Sequence, residues 1–67
     1  MEISARNQLK GRIKDIKSSG ITSEVILDVG GQEVCSTITT DSVNRLGLKV
    51  GDEAGALIKA SSVMIMK

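Results

Sequence analysis

The sequence predicts an all-β domain of five short strands with one short helix after the third. Three observations predict it. Apolar and polar residues alternate over residues 6–17, a Gly30-Gly31 pair separates two runs of β-forming residues, and a helical period appears only over 40–47. Strands of this length and order close most readily as a partly closed, OB-like barrel, an architecture that by itself assigns no function.

In the first strand Leu9, Gly11 and Ile13 fall on one side and Lys10, Arg12 and Lys14 on the other, so one face is wet. The alternation slips after Lys14, where Ile16 is out of phase with Ile13, as a β-bulge or strong bend would cause. Ser18-Ser19-Gly20 reads as a turn. Residues 21–29 are rich in β-branched side chains, and Gly30-Gly31 accepts positive φ without steric cost, so a hairpin to residues 33–39 follows. Within Val25-Ile26-Leu27 both phases are apolar, which implies an edge or outer face covered by a neighbour. Over 40–47 polar cap-formers precede Val43 and Leu46, three apart, and Gly47 stands where a helix would stop. A turn over 48–52 leads into the last two predicted strands, 53–60 and 62–66, the first with a weak Ala54-Gly55 start.

The 67 residues are expected to form one domain, 1–67, because so short a chain buries only about 60% of its unfolded surface. There is no Phe, Tyr or Trp, so the core is poor as well as small and needs a disulfide, a structural metal or self-association. A single cysteine, Cys35, cannot bridge within the chain, and without histidine no direct protein–metal ligand set of known spacing is present. Self-association remains. Nine basic and eight acidic residues, interspersed to a net charge of +1, disfavour nucleic acid as a partner. No stretch approaches the roughly 18 apolar residues of a membrane span and Met1-Glu2-Ile3-Ser4 lacks a leader pattern, so no membrane partner and a reduced, cytoplasmic setting are expected.

Catalysis is not expected, since no histidine can serve as base and Asp15, Asp28, Glu33, Asp52 and Glu53 scatter over strand faces and turns. Cys35, flanked by Val34 and Ser36, reads as a buried thiol that packs like a small hydrophobe. Gly30-Gly31 lacks the helix start and lysine of a phosphate-binding loop. Three segments stand out as donor-rich: residues 4–11, 38–42 and 57–63. Each also has an ordinary explanation: Ser4 and Arg6 as a solvated terminal strand, Thr40, Asp41 or Ser42 as helix caps, and Lys59 as an exposed strand residue.

Ser-Ala-Arg-Asn-Gln-Leu-Lys-Gly at 4–11, Lys-Ala-Ser-Ser-Val-Met at 59–64 and the Arg45–Leu48 and Gly51–Glu53 turns closely resemble the molbindins, the molybdenum-pterin-binding or Mop proteins, across essentially the whole chain. The resemblance covers the TOBE/Mop-type domain that recurs in molybdate transporters and molybdate-responsive regulators. It implies a homohexamer of OB-like barrels, a trimer of dimers, that stores or buffers molybdate and also takes tungstate, without a cofactor. It further implies oxyanion sites between subunits, with Ser4 and Arg6 matching the N-terminal ligand motif, Thr39 and Ser42 the hydroxyl segment before the helix, and Lys59 and Ser61 the C-terminal one. Ala5 and Ala60 would contribute backbone N–H groups. Residues 12–20 fit the family pattern less well.

The chemistry suits such a ligand. Molybdate at neutral pH is a tetrahedral dianion with acceptors only, and Ser4, Arg6, Thr39, Ser42, Lys59 and Ser61 all offer donors. Two other readings stay open at this point: an OB-type nucleic-acid module, which lacks the aromatic stacking platform such modules use, and a purely structural interaction domain. Pterin binding has no ring to stack on.

Overall fold

A computed structural model describes residues 5–67 as four strands and one helix in the order β1 (Asn7–Ser19), β2 (Thr22–Val29), β3 (Gln32–Thr39), α1 (Thr40–Leu46) and β4 (Glu53–Ile58), followed by a 3₁₀ turn, Ala60–Ser62. The strands form one antiparallel sheet in the order β3-β2-β1-β4.

β1 is the organising element because its 13 residues serve two partners. Its first half pairs with β4, from Asn7↔Ile58 to Arg12↔Glu53, and its second half with β2, from Arg12↔Asp28 to Ser19↔Thr22. The change of partner coincides with the predicted slip in alternation: Ile13 opposes Leu27 but Asp15 opposes Ile26, so Lys14 is the extra residue of a bulge. Asp15 Oδ1 accepts the Ile16 N–H at 2.9 Å, satisfying a donor that the disrupted ladder would otherwise leave. Just before the bulge, a Cβ on Gly11 would stand 2.5 Å from the Asp28 carbonyl oxygen, so only glycine lets the two halves of the sheet approach there. The sheet therefore curls into a half-barrel.

Both hairpins turn on two residues. Gly30 and Gly31 have φ of 62° and 92°, the pattern of a type I′ turn, as expected. The first hairpin differs from expectation: β1 continues through Ser19, and the turn is Gly20-Ile21 with positive φ at the glycine alone, a type II′ pattern. Cross-strand pairing of Ser18 and Ser19 holds them in the ladder against their turn propensity.

α1 closes one end. The Thr39 side chain caps it, and the Gly47 and Leu48 N–H groups bond back to the Asn44 and Val43 carbonyls at 3.1 Å, a Schellman-type ending. Val43 is buried against the sheet, whereas Leu46, expected on the same face, is 69% exposed. Among the described residues Ile13, Val25, Leu27 and Val43 are the buried apolar ones, joined by one buried hydroxyl, Ser23. Ser23 Oγ is bonded at 2.8 Å to both Ser18 Oγ and Thr40 Oγ1, which removes its desolvation cost.

Two further expectations are corrected. The predicted fifth strand, 62–66, is not paired within the chain: β4 stops at Ile58, the 3₁₀ turn follows, and Met64, Ile65 and Met66 stand 92%, 91% and 96% exposed. Cys35 is exposed, not buried, because Val34, Ser36 and Ile38 take the inward phase of edge strand β3 and Cys35 takes the outward one. Among the described residues no helix is long and apolar enough to cross a membrane.

Candidate functional site

The predicted site residues fall into two groups at opposite ends of the half-barrel. Ser4 lies outside the described residues.

The first group gathers where the β1–β4 ladder opens. Asn7 opposes Ile58 as the last pair of the ladder, so Arg6 and Lys59 are the next residues on the two chains at that end, with Ala5 and Ala60 one residue further along each. Gln8 Nε2 donates to the Ala5 carbonyl at 3.4 Å, fixing the approach to the ladder. On the other strand, Ser62 N–H bonds Lys59 O at 2.9 Å and Val63 N–H bonds Ala60 O at 3.2 Å, so the chain tightens into the 3₁₀ turn directly after Lys59. Ala60 and Ser61 head that turn, where the first N–H groups have no partner inside it.

The described side chains at this end are basic. Residues 5–11 and 54–67 carry Arg6, Lys10, Lys59 and Lys67 and no Asp or Glu. The ion pairs found among the described residues are Arg12–Glu53 at 3.7 Å, Lys14–Glu33 and Arg45–Asp41 at 3.4 Å, so neither Arg6 nor Lys59 is neutralised by them. Two like charges at facing positions of an antiparallel pair repel, and an anion between them would convert that cost into attraction.

The second group is the start of α1. Thr39 Oγ1 accepts the Ser42 N–H at 3.0 Å and donates to Ser42 Oγ at 2.7 Å. Thr39 thus spends its hydroxyl on the cap, while the Ser42 hydroxyl, having accepted one bond, keeps its own proton to donate outward. Thr39 pairs with Thr22, which pairs with Ser19, so this group sits at the far end of β1 from Arg6 and Lys59. One chain places Ala5, Arg6, Lys59, Ala60 and Ser61 past the same end of the β1–β4 ladder and bonds Thr39 to Ser42, but does not unite the two groups.

Two depressions mark the surface. One, of about 670 Å³, is lined by Lys10, Arg12, Asp28 and Glu53 among others, and its mixed signs and the Arg12 bonds to Glu53 and to the Gly51 carbonyl leave little net field for an anion. Beside it, the Glu33 carboxylate bonds Lys14 and holds that ammonium above its usual range. The second, of about 700 Å³, is an apolar groove between the free edges of β3 and β4. It was not legible as a site in the sequence, because it exists only where a strand is missing between β3 and β4. Among the described residues no cluster of carboxylates and cysteine could hold a metal ion.

Residues 3–65 match the TOBE domain. The chain is 51% identical over 67 residues to molybdenum-pterin-binding protein 1 of Clostridium pasteurianum, covering 98% of each. Its fold superposes on a molybdate-binding protein from Sporomusa ovata with a TM-score of 0.96 at 37% identity, over 100% of both chains. It also superposes on the cytoplasmic molybdate-binding protein ModG, in a molybdate-bound form, with a TM-score of 0.92 at 45% identity, over 96% of this chain and 46% of that one.

Proposed function

The chain belongs to the TOBE-domain family, in its molbindin (Mop) branch, and from that premise we propose that it is a cytoplasmic molybdate-binding protein that stores or buffers the anion. In this reading residues 1–67 act as a single domain, the protein is a binding protein and not an enzyme, and tungstate is a second ligand. The working form is a homohexamer, a trimer of dimers, with its oxyanion sites between subunits.

One observation supports the reading furthest: Arg6 and Lys59, neither of them in an ion pair among the described residues, lie at one end of the half-barrel, and the Ser42 hydroxyl, which accepts from Thr39 and keeps its own proton, lies at the other. A tetrahedral anion a few ångströms across meets both groups only when two copies are apposed, so a site made of both is shared by construction. Arg6 and Lys59 supply charge, and Ser4, Ser42, Ser61 and the backbone N–H groups of Ala5 and Ala60 supply direction. Thr39 contributes through Ser42, whose hydroxyl it polarises and aims.

A shell made only of donors matches a ligand made only of acceptors. Hydrogen phosphate brings a proton that would face a donor, a mismatch that costs about 1–3 kcal/mol per buried group left unsatisfied. Sulfate has the same charge and shape as molybdate, so its rejection rests on cavity size. The experiment is native mass spectrometry of the chain with molybdate, tungstate, sulfate and phosphate. A hexamer that takes up molybdate and tungstate over sulfate is expected; a monomer without oxyanion adducts overturns the proposal.

A further inference from the structure

One buried hydroxyl is left over once the oxyanion donors are named. Ser23 is 1% exposed and shares the inward phase of β2 with Val25 and Leu27. An apolar side chain there would add to a core that holds four buried apolar residues among those described, so serine forgoes burial that a small chain needs. What it gains is two bonds. Its Oγ lies 2.8 Å from Ser18 Oγ on β1 and 2.8 Å from Oγ1 of Thr40, the first residue of α1. A serine has one proton, and a buried proton has to be used, so Ser23 donates to one neighbour and accepts from the other. The three hydroxyls thereby tie β1, β2 and α1 together through one atom.

The tie bears on Thr40 because α1 has few other anchors. The helix has seven residues and one buried side chain, Val43, about which so short an element could pivot. Thr40 supplies two more fixed points: its N–H bonds the Ile21 carbonyl at 2.8 Å, and its hydroxyl bonds Ser23. Ser42 follows two residues later in the same turn, bonded to the Thr39 cap, so pinning Thr40 also aims the Ser42 hydroxyl.

We propose that Ser23 is a positioning residue for the oxyanion site: its buried hydroxyl, acting through Thr40, sets the place of the Ser42 donor relative to the sheet. Ser23 itself touches no ligand. Its effect is on selectivity as well as affinity, because a donor that is held cannot follow a smaller anion, whereas a donor that is free to shift serves sulfate as well as molybdate. The proposal rests on the reading of Ser42 as an oxyanion donor.

Calorimetry with molybdate and with sulfate on the full chain tests it, beside native mass spectrometry and thermal unfolding to establish that each variant is folded and assembled as the parent is. Ser23→Ala is expected to weaken molybdate binding roughly 3- to 10-fold, what the loss of one neutral hydrogen bond amounts to, and to lower the ratio of molybdate to sulfate affinity. Thr40→Val removes the other half of the bond and gives the same loss, and Thr40→Ser, which keeps the hydroxyl, restores most of it; this pair carries the test if Ser23→Ala does not fold. The deciding measurement is a double-mutant cycle: in a chain that already carries Ser42→Ala, adding Ser23→Ala should change molybdate affinity by less than about 2-fold. An equal loss with and without the Ser42 hydroxyl, parental affinity in Ser23→Ala and Thr40→Val, or an unchanged molybdate-to-sulfate ratio overturns the proposal. Parental affinity in Ser42→Ala removes the donor reading beneath it, whereas a weakened Ser42→Ala beside a neutral Ser23→Ala removes the role of Ser23 alone.

Discussion

Replacing Arg6 with alanine is expected to move ligand-free stability and ligand affinity in opposite directions. Arg6 and Lys59 each lie one residue beyond the last pair of the β1–β4 ladder, and Arg6 makes no ion pair with a carboxylate among the described residues. Facing like charges cost up to about 1 kcal/mol in a sheet, and solvent screening reduces this to a few tenths at an exposed end. The ligand-free Arg6→Ala protein is therefore expected to be as stable as the parent or slightly more so. Raising the salt from 0.1 to 1 M should shrink the difference as the Debye length falls from about 10 to about 3 Å. A charge-assisted hydrogen bond contributes about 1.5–3 kcal/mol, so the same change should weaken molybdate binding roughly 10- to 150-fold. At a ligand concentration one hundred times the parent's dissociation constant, ligand stabilisation should fall from about 2.7 kcal/mol to about 0.3–1.4 kcal/mol. Isothermal calorimetry and urea unfolding with and without molybdate measure both quantities. Unchanged affinity would refute the site assignment, and a ligand-free protein destabilised by as much as binding is weakened would show that Arg6 serves the fold.

Three other perturbations test separate steps. Thr39→Val removes the acceptor that caps α1 and the donor to Ser42, and should cost about 1 kcal/mol in urea unfolding, while Thr39→Ser keeps both bonds and most of the stability; equal variants would contradict the capping geometry. Gly11→Ala places a methyl 2.5 Å from the Asp28 carbonyl oxygen and 3.0 Å from Val29 Cγ2 and should cost about 1–3 kcal/mol, whereas Gly55→Ala meets only Leu9 O at 3.7 Å and should be near neutral. Because Glu33 raises the Lys14 pKa above 10.5 in the folded protein, the pair's contribution is complete below that value and is lost as pH rises through the folded pKa. Alkaline unfolding curves of the parent and Glu33→Gln should therefore converge at high pH, and parallel curves would show that the pair contributes nothing.

What the sequence disclosed tracks how local the cause is. The Gly30-Gly31 hairpin, the α1 ends and the Lys14 bulge each depend on residues within a few positions, and each was legible as a turn pair, a capping pattern or a slipped alternation. Ser18 and Ser19 misled because their turn propensity is overridden by pairing with Thr22 and Ser23. Cys35 misled because both phases of β3 read as small or apolar, and only the curl of the sheet decides which phase is inside. At the site, Arg6 and Lys59 were visible as motif residues 53 positions apart, but their placement past the same end of the β1–β4 ladder depends on its register. The division of Thr39 and Ser42 into a positioning and a donating hydroxyl is a matter of hydrogen-bond geometry that residue types alone do not encode.

The separation of the two donor groups also bears on selectivity. Every donor proposed for the site accepts sulfate as readily as molybdate, so discrimination has to come from the distance between opposed donors. Within one chain the two groups lie at opposite ends of β1; the gap from Arg6 and Lys59 to Ser42 in a shared site is set by how two copies meet. Substitutions that reshape the contact between copies without touching a donor should then change the ratio of molybdate to sulfate affinity more than either donor's own charge does. Selectivity in this protein would be a property of the interface, and its donors would supply affinity to any tetrahedral dianion that fits.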